Sequence, residues 1–139
     1  MKNFLMMVVI AASVQLALAA DLSDEMKAQN KKIVSLVVEE MSKGLPETID
    51  DYTQLVEIKS RDLALIYIFE INTGLKSDDT VRKEDRSRMQ RAVTQGLCQS
   101  SKRFLDAQIT ISYLYRSAKT KAKLFQFDIA QTDCIEKMN

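Results

Sequence analysis

Two cysteines and several adjacent carboxylates are the residues of this chain best suited to chemistry. Cys98 and Cys134 lie 36 positions apart. Redox catalysts favour a C-x-x-C spacing at a helix start, where one thiolate is stabilised, so this spacing argues against a redox pair. In a small exported domain, an even pair of cysteines is normally bridged. We therefore predict a Cys98–Cys134 disulfide that ties the end of the chain to an internal helix.

The acidic residues give little support to catalysis. Adjacent carboxylates include Glu39-Glu40, Asp50-Asp51, Asp78-Asp79 and Glu84-Asp85. Adjacent side chains diverge by about 100° on a helix and alternate faces on a strand, so sequence neighbours seldom form an acid/base pair. The chain contains no histidine, the residue that most often activates a nucleophile or binds a transition metal. We predict no enzyme, cofactor or metal. A hydrolase using two carboxyl groups from different elements is a less favoured alternative.

Basic residues form two groups that could bind a partner. The candidates for binding are Arg82 and Arg86 on a predicted helix and Arg116, Lys119, Lys121 and Lys123 in a predicted hairpin. The helical group also contains acids, so it fits either a solvated face with ion pairs or a docking surface. The hairpin group has no interleaved acid, which makes it the better candidate. Lysines also commonly protect exposed sheet edges.

The first residues have the layout of a secretory signal peptide. Lys2 precedes a mostly apolar run from Phe4 to Leu18, which ends in small residues. The run is short against the roughly 20 residues that span a membrane, so a cleaved signal is favoured over a retained anchor. We predict a signal peptide at 1–19, cleaved after residue 19 or 20, and a single domain at 20–139. The mature protein is then periplasmic or secreted, with no membrane span.

The charge balance argues against a nucleic-acid partner. The chain has 20 Lys and Arg residues against 19 Asp and Glu residues, and loss of Lys2 makes both counts 19. Nucleic-acid binders normally carry a basic excess, because neutralising phosphates supplies most of their affinity.

Hydrophobic periodicity predicts the element order helix, hairpin, helix, hairpin. The first helix has an apolar stripe of Met26, Ile33, Val37 and Met41, widened by Val34, Leu36 and Val38, and it ends near Gly44 and Leu45-Pro46. The first hairpin has two strand faces, one with Tyr52, Gln54, Val56 and Ile58 and the other with Leu63, Leu65, Tyr67, Phe69 and Ile71. The second helical segment covers 81–107, and a break at Gly96, with Ser100 or Ser101 capping a short final turn, is left open. The second hairpin presents Ile109, Ile111, Tyr113 and Tyr115, then Phe125, Phe127 and Ile129.

This order predicts an α+β fold of two αββ units. Their hairpins form a four-stranded antiparallel sheet covered by two helices, with one disulfide. If the helices cover one face only, then Ile66, Ile68 and Leu114 on the other face would stay exposed and mark a dimer or partner interface.

The chain resembles a loose group of small exported Gram-negative bacterial proteins of uncharacterised function. The resemblance rests on Leu45-Pro46 after the first helix and on Cys98, Tyr113, Tyr115 and Cys134. In that group a cysteine in the second helix precedes a Tyr-x-Tyr strand, a second strand and a closing cysteine. This chain has Asp106-Ala107-Gln108 where the group usually has a glycine. The resemblance implies a fold and a compartment rather than an activity.

Taken together, the residues predict a non-catalytic exported protein that binds another protein. It would be an accessory subunit of an envelope assembly or an immunity or inhibitor protein, and a homodimer is left open. The alternative is a binder of a small apolar ligand or lipid, which would need an enclosed cavity lined by strand aromatics.

Overall fold

The computed structural model describes residues 24–136, with side chains up to residue 134. The predicted signal peptide at 1–19 lies outside these residues. Helix α1 is described over 24–42. The strands are β1 (Glu47–Thr48), β2 (Thr53–Arg61), β3 (Ala64–Ile71), β4 (Thr110–Ser117) and β5 (Lys123–Ile129). The other helices are α2 (Asp78–Lys83), α3 (Ser87–Ser100), α4 (Lys102–Asp106) and α5 (Gln131–Glu136).

The strands form one mixed sheet in the order β1-β2-β3-β4-β5. Neighbours are antiparallel except β3 and β4, which are parallel. The α+β class is confirmed, but the predicted four antiparallel strands are wrong. The connection from β3 to β4 is a crossover through α2, α3 and α4, which returns the chain to the starting end of the sheet, so the next strand runs parallel. The two-residue β1 adds a fifth strand, too short to show any hydrophobic alternation.

The predicted second helix consists of three helices. Asp85 Oδ1 accepts hydrogen bonds from the backbone N (2.9 Å) and hydroxyl (2.6 Å) of Ser87, and this local bonding separates α2 from α3. The break considered at Gly96 is absent, because α3 continues through Gly96 to Ser100. The break comes at Ser101, where the short α4 begins.

The Cys98–Cys134 disulfide joins α3 to α5, with 5.6 Å between the Cα atoms. The C-terminal helix α5 was not predicted. Its first turn is closed by Asp133, whose carboxylate accepts from the backbone N of Ala130 at 2.8 Å. The disulfide therefore fixes a short helix rather than a strand tail.

The described helices pack on one face of the sheet. The strands contribute Leu55, Ile58, Phe69, Ile111, Tyr115, Leu124, Phe125, Phe127 and Ile129 to the main core, and the helices contribute Val81, Leu97 and Leu105. A smaller cluster of Val34, Leu65 and Ile109 holds α1. Because neighbouring aromatic rings lie 4.7–6.5 Å apart across β3, β4 and β5, they pack against one another rather than around a hollow.

Two predicted faces are wrong. In β2 a bulge between Leu55 and Glu57 shifts the register, so Leu55 joins Ile58 in the core and Tyr52 is exposed. In α1 the fully buried residue is Val34, while Met26, Ile33, Leu36 and Met41 are exposed. The stripe on α1 was broad, and only contact with β3 and α4 decides which edge of it faces inward.

The opposite face of the sheet carries Ile66, Ile68 and Leu114. Ile68 is buried, and Ile66 and Leu114 are half-buried. The expectation that these residues stay exposed is therefore wrong. Lys59 pairs with Ile66 and Gln126 pairs with Leu114 across neighbouring strands. These four residues line a shallow pocket of about 380 Å³.

Candidate functional site

An open groove of about 530 Å³ lies between the end of β3 and helices α2 and α3. We call it the Phe125 groove. Its lining residues are Tyr52, Ile71, Asn72, Thr73, Gly74, Lys76, Val81, Glu84, Arg86, Met89 and Phe125. The apolar members Ile71, Val81, Met89 and Phe125 also belong to the main core or pack against it. The groove is thus an opening onto the hydrophobic core of the domain.

The loop after β3 forms one side of the groove. The backbone N of Asn72 donates to the carbonyl oxygen of Tyr52 at 2.8 Å, which ties the loop to the start of β2. Gly74 has a φ of 62°, a conformation that glycine adopts readily, and its N–H donates to Asn72 Oδ1 at 3.0 Å. Thr73 Oγ1 donates to the carbonyl oxygen of Lys76 at 3.2 Å. These local bonds hold the loop in one shape.

The junction of α2 and α3 forms the other side. Lys76 Nζ lies 2.6 Å from Glu84 Oε1, so an ion pair joins the loop to the end of α2. The guanidinium carbon of Arg86 lies 4.2 Å from the centre of the Phe125 ring. The same guanidinium donates to the carbonyl oxygens of Val81 and Arg82. Arg86 therefore closes the end of α2 and shields one face of Phe125.

One exposed apolar side chain lines the groove, and two more lie close to its lining residues in the chain or through a backbone hydrogen bond. Tyr52 lines the groove and is 67% exposed, and Leu75, which follows Gly74, is fully exposed. Ile49 is also exposed, and its backbone N donates to the carbonyl oxygen of Thr53 next to Tyr52. Large exposed apolar residues cost solvation free energy, and a cluster of them beside a groove is typical of a protein-binding surface.

The predicted hairpin candidates Arg116 and Lys121 converge on one acid. Arg116 Nε lies 2.7 Å from Glu70 Oε2, and Lys121 Nζ lies 2.8 Å from Glu70 Oε1. Desolvation raises the pKa of Glu70, but hydrogen bonds from Lys121 and Arg116 outweigh it and hold that pKa below its usual value. Both bases thus have a partner within the chain.

Of the remaining candidates, Arg82 lies in α2, Arg86 between α2 and α3, Lys119 in the β4–β5 turn and Lys123 at the start of β5. Arg82 pairs with Asp79 at 3.0 Å and donates to the carbonyl oxygen of Lys123 at 3.0 and 2.8 Å. Lys119 Nζ donates to the carbonyl oxygen of Gly74. Arg82 and Lys119 line a polar pocket of about 450 Å³. Of the six predicted residues, Arg86 alone lines the Phe125 groove.

The pKa values of two aspartates and two tyrosines are shifted away from those of a general acid at neutral pH. Hydrogen bonds from Ser87 lower the pKa of Asp85, and a hydrogen bond from Lys102 lowers that of Asp106. A general acid at neutral pH needs a raised pKa instead. Burial raises the pKa of Tyr113 and Tyr115, which keeps their hydroxyl groups protonated. Within residues 24–136, no group of three or more acidic, cysteine or histidine side chains could hold a metal ion.

Sequence reasoning missed most of the groove. It assigned Tyr52 and Phe125 to strand faces. A usable signal was the segment NTGLKSDDT, in which Leu75 is a large apolar residue in an otherwise polar loop. Only the packing of α2 and α3 over β5 brings the loop close to Phe125.

The family model for a domain of unknown function (DUF8479) matches residues 28–125. The chain belongs to this family. The match includes the Phe125 groove and ends before Cys134. No curated protein has a matching sequence. Membership in a family of unknown function agrees with the predicted resemblance to an uncharacterised group.

Three solved structures share the fold. A Pseudomonas aeruginosa protein proposed to be secreted matches with a TM-score of 0.69 and 14% identity, covering 78% of this chain and 96% of its own. The type 2 secretion system pilotin EpsS of Vibrio vulnificus matches with a TM-score of 0.64 and 15% identity, covering 79% of this chain and 96% of its own. The type II secretion system pilotin AspS of Vibrio cholerae matches with a TM-score of 0.61 and 12% identity, again covering 79% of this chain and 96% of its own. At these identities the likeness establishes the fold.

The names of the structural neighbours agree with the predicted export. Between residues 24 and 136, no helix combines the length and hydrophobicity that crossing a membrane requires. One neighbour is named as a secreted protein and two as pilotins of type II secretion systems, in agreement with the exported localisation predicted from the sequence.

Proposed function

We propose that this member of the family is a non-catalytic accessory protein of a bacterial envelope assembly, and that it binds a segment of another protein in the Phe125 groove. The observation that carries this proposal is the groove itself, which opens onto the core beside the exposed Tyr52. The two pilotins that share the fold are named as components of type II secretion systems. Their likeness favours an accessory role over an inhibitor or immunity role.

The shape of the site favours a protein segment over a small apolar ligand. Drug-sized and lipid ligands are mostly enclosed when bound. The Phe125 groove is open, and the strand aromatics that could have lined an inner cavity are packed against one another. A protein segment can bury the exposed rings at the rim and leave its other side in contact with the rest of the partner.

The charges at the groove fit an amphipathic segment. Lys76, Glu84 and Arg86 surround the apolar floor, and Lys76 and Glu84 are already paired with each other. A segment with apolar residues on one face would pack on Met89 and Phe125. An acidic residue at its edge would lie near Arg86, whose charge is not neutralised by an ion pair between described residues.

Site-specific photo-crosslinking in the periplasm tests the proposal. A crosslinker at position 52 should capture one protein, whereas the same crosslinker at position 36 on α1 should not capture it. The captured protein is then purified, and its affinity is measured for the unmodified chain and for Tyr52→Ala. A buried interface tyrosine commonly contributes 1–2 kcal/mol, so we expect binding about tenfold weaker.

Matched variants separate binding from folding. Because Tyr52 and Leu75 are exposed, Tyr52→Ala and Leu75→Asp should leave the thermal midpoint unchanged. Leu36 is an exposed apolar residue on α1, and Leu36→Asp should leave the affinity for the captured protein unchanged. The proposal fails if Tyr52→Ala and Leu75→Asp bind the captured protein as tightly as the unmodified chain.

A further inference from the structure

Helix α1 has an exposed apolar stripe in addition to its buried side. Val34 is fully buried, and Asn30 Nδ2 donates to the carbonyl oxygen of Ala107 at 2.9 Å, so these residues attach α1 to the domain. Met26, Ile33 and Leu36 are 61%, 43% and 59% exposed. Because α1 packs on the domain through its other side, this exposed stripe is a candidate surface for contact with another molecule.

The stripe belongs to a longer row of residues. We define the α1 seam as Met26, Gln29, Ile33, Leu36, Glu40 and Lys43. These positions alternate in steps of three and four, which is the spacing of residues that face a second helix in a coiled coil. The seam is apolar at its centre and polar towards its C-terminal end. It is therefore suited to a second helix whose pattern runs in the opposite direction.

We propose that the α1 seam binds the α1 seam of a second copy of this chain, with the two helices antiparallel. A twofold axis between residues 34 and 35 places Ile33 of each copy opposite Leu36 of the other. It also places Gln29 opposite Glu40 of the second copy, where an amide can donate to a carboxylate. Met26 then lies against the aliphatic stem of Lys43 of the second copy.

The charges beside the seam are complementary to those of a second copy. Lys32 and Glu39 lie beside the seam on the same side of α1, and both are exposed. In the antiparallel pair, Lys32 of each copy lies on the same side of the seam as Glu39 of the other and within two residues of it along the axis, so two ion pairs form by symmetry. In a parallel pair, Lys32 would instead lie beside Val37 of the other copy, and these ion pairs would not form. No ion pair between described residues uses Lys32 or Glu39 within one chain.

The same charges argue against a membrane surface as the occupant. Interfacial helices carry basic residues beside their apolar face, because membrane surfaces are anionic. Here Glu39 and Glu40 lie at the edge and in the seam. The seam spans positions 26–43, about 27 Å of helix at 1.5 Å per residue, and buries less area than a standard interface. The expected dimer is therefore weak, dissociating in the micromolar range.

Charge reversal tests this arrangement by sedimentation equilibrium on the full chain purified after export. The unmodified chain should show a concentration-dependent monomer–dimer equilibrium. Lys32→Glu or Glu39→Lys alone should weaken it roughly tenfold, because each turns two attractions into two repulsions. The double variant should restore the dimer. An equimolar mixture of the two single variants should form a heterodimer, since opposite charges then face each other again.

Lys27→Glu is the matched control, because Lys27 is an exposed base on α1 outside the seam. It should leave the dimer unchanged. A chain that is monomeric at every concentration overturns the proposal, as does equal weakening by Lys27→Glu and Lys32→Glu, or failure of the double variant to restore association. The proposal is independent of the Phe125 groove, because Lys32→Glu should not change crosslinking from position 52.

Discussion

Two of the predicted binding residues, Arg116 and Lys121, form ion pairs with Glu70, and substitution of Glu70 tests whether these pairs stabilise the fold. The side chain of Glu70 on β3 is 13% exposed, that of Arg116 is 29% exposed and that of Lys121 is 57% exposed. Glu70→Gln keeps the shape but removes the charge that both bases contact. If the bases serve the fold, this substitution should lower the free energy of unfolding measurably.

The size of the effect follows from exposure. The largely buried bond to Arg116 is charge-assisted and contributes about 1.5 kcal/mol. The pair with Lys121 is more than half exposed, so solvent screening limits it to about 0.5 kcal/mol. We therefore expect Glu70→Gln to cost about 2 kcal/mol, or roughly 5–10 °C in the unfolding midpoint for a domain of this size.

The pH dependence supplies an independent check. Because the folded-state pKa of Glu70 is lowered, its contribution is present above the unfolded-state pKa and is lost as the pH falls through the folded value. The difference between unmodified chain and Glu70→Gln, measured by urea unfolding, should be full at neutral pH and shrink in acid. Glu57→Gln removes the same charge from an exposed strand position and serves as control. Equal effects of the two substitutions, or a difference that persists unchanged in acid, would refute the reasoning.

Two further predictions concern the disulfide and the β2–β3 turn. Replacing both Cys98 and Cys134 by serine removes a bond that closes a 36-residue separation. We expect a loss of about 3–4 kcal/mol on the chain-entropy model, measured by urea unfolding, and no further loss when reductant is added to the variant. A variant as stable as the oxidised parent would contradict that model here. Asp62 lies at the β2–β3 turn with a φ of 53°, where a non-glycine residue is strained. Asp62→Gly should therefore raise the free energy of unfolding by about 0.5–1 kcal/mol, measured as a slightly higher unfolding midpoint. A lower midpoint would show that the aspartate is not strained.

Strand faces predicted from local alternation differ from the structure where pairing between strands changes the register. Ile58 was placed correctly, but the bulge between Leu55 and Glu57 moved Tyr52 and Gln54 out of the predicted core face. A bulge depends on how β2 pairs with β3, so the alternation of residues in β2 alone does not reveal it. The same holds for Ile68, which neighbouring strands bury on the face without helices.

The sequence by itself determined the α+β class, the disulfide partners, and the order of strands β2 to β5 with helical segments before and between the two hairpins. Hydrophobic periodicity is local, and a single pair of cysteines leaves one pairing within the chain. The tertiary structure alone decided that β3 and β4 are parallel, which edge of α1 faces inward and that the loop at Leu75 meets Phe125 across a groove. Those features depend on contacts between segments far apart in sequence, where several arrangements bury similar apolar area and only their joint packing selects one.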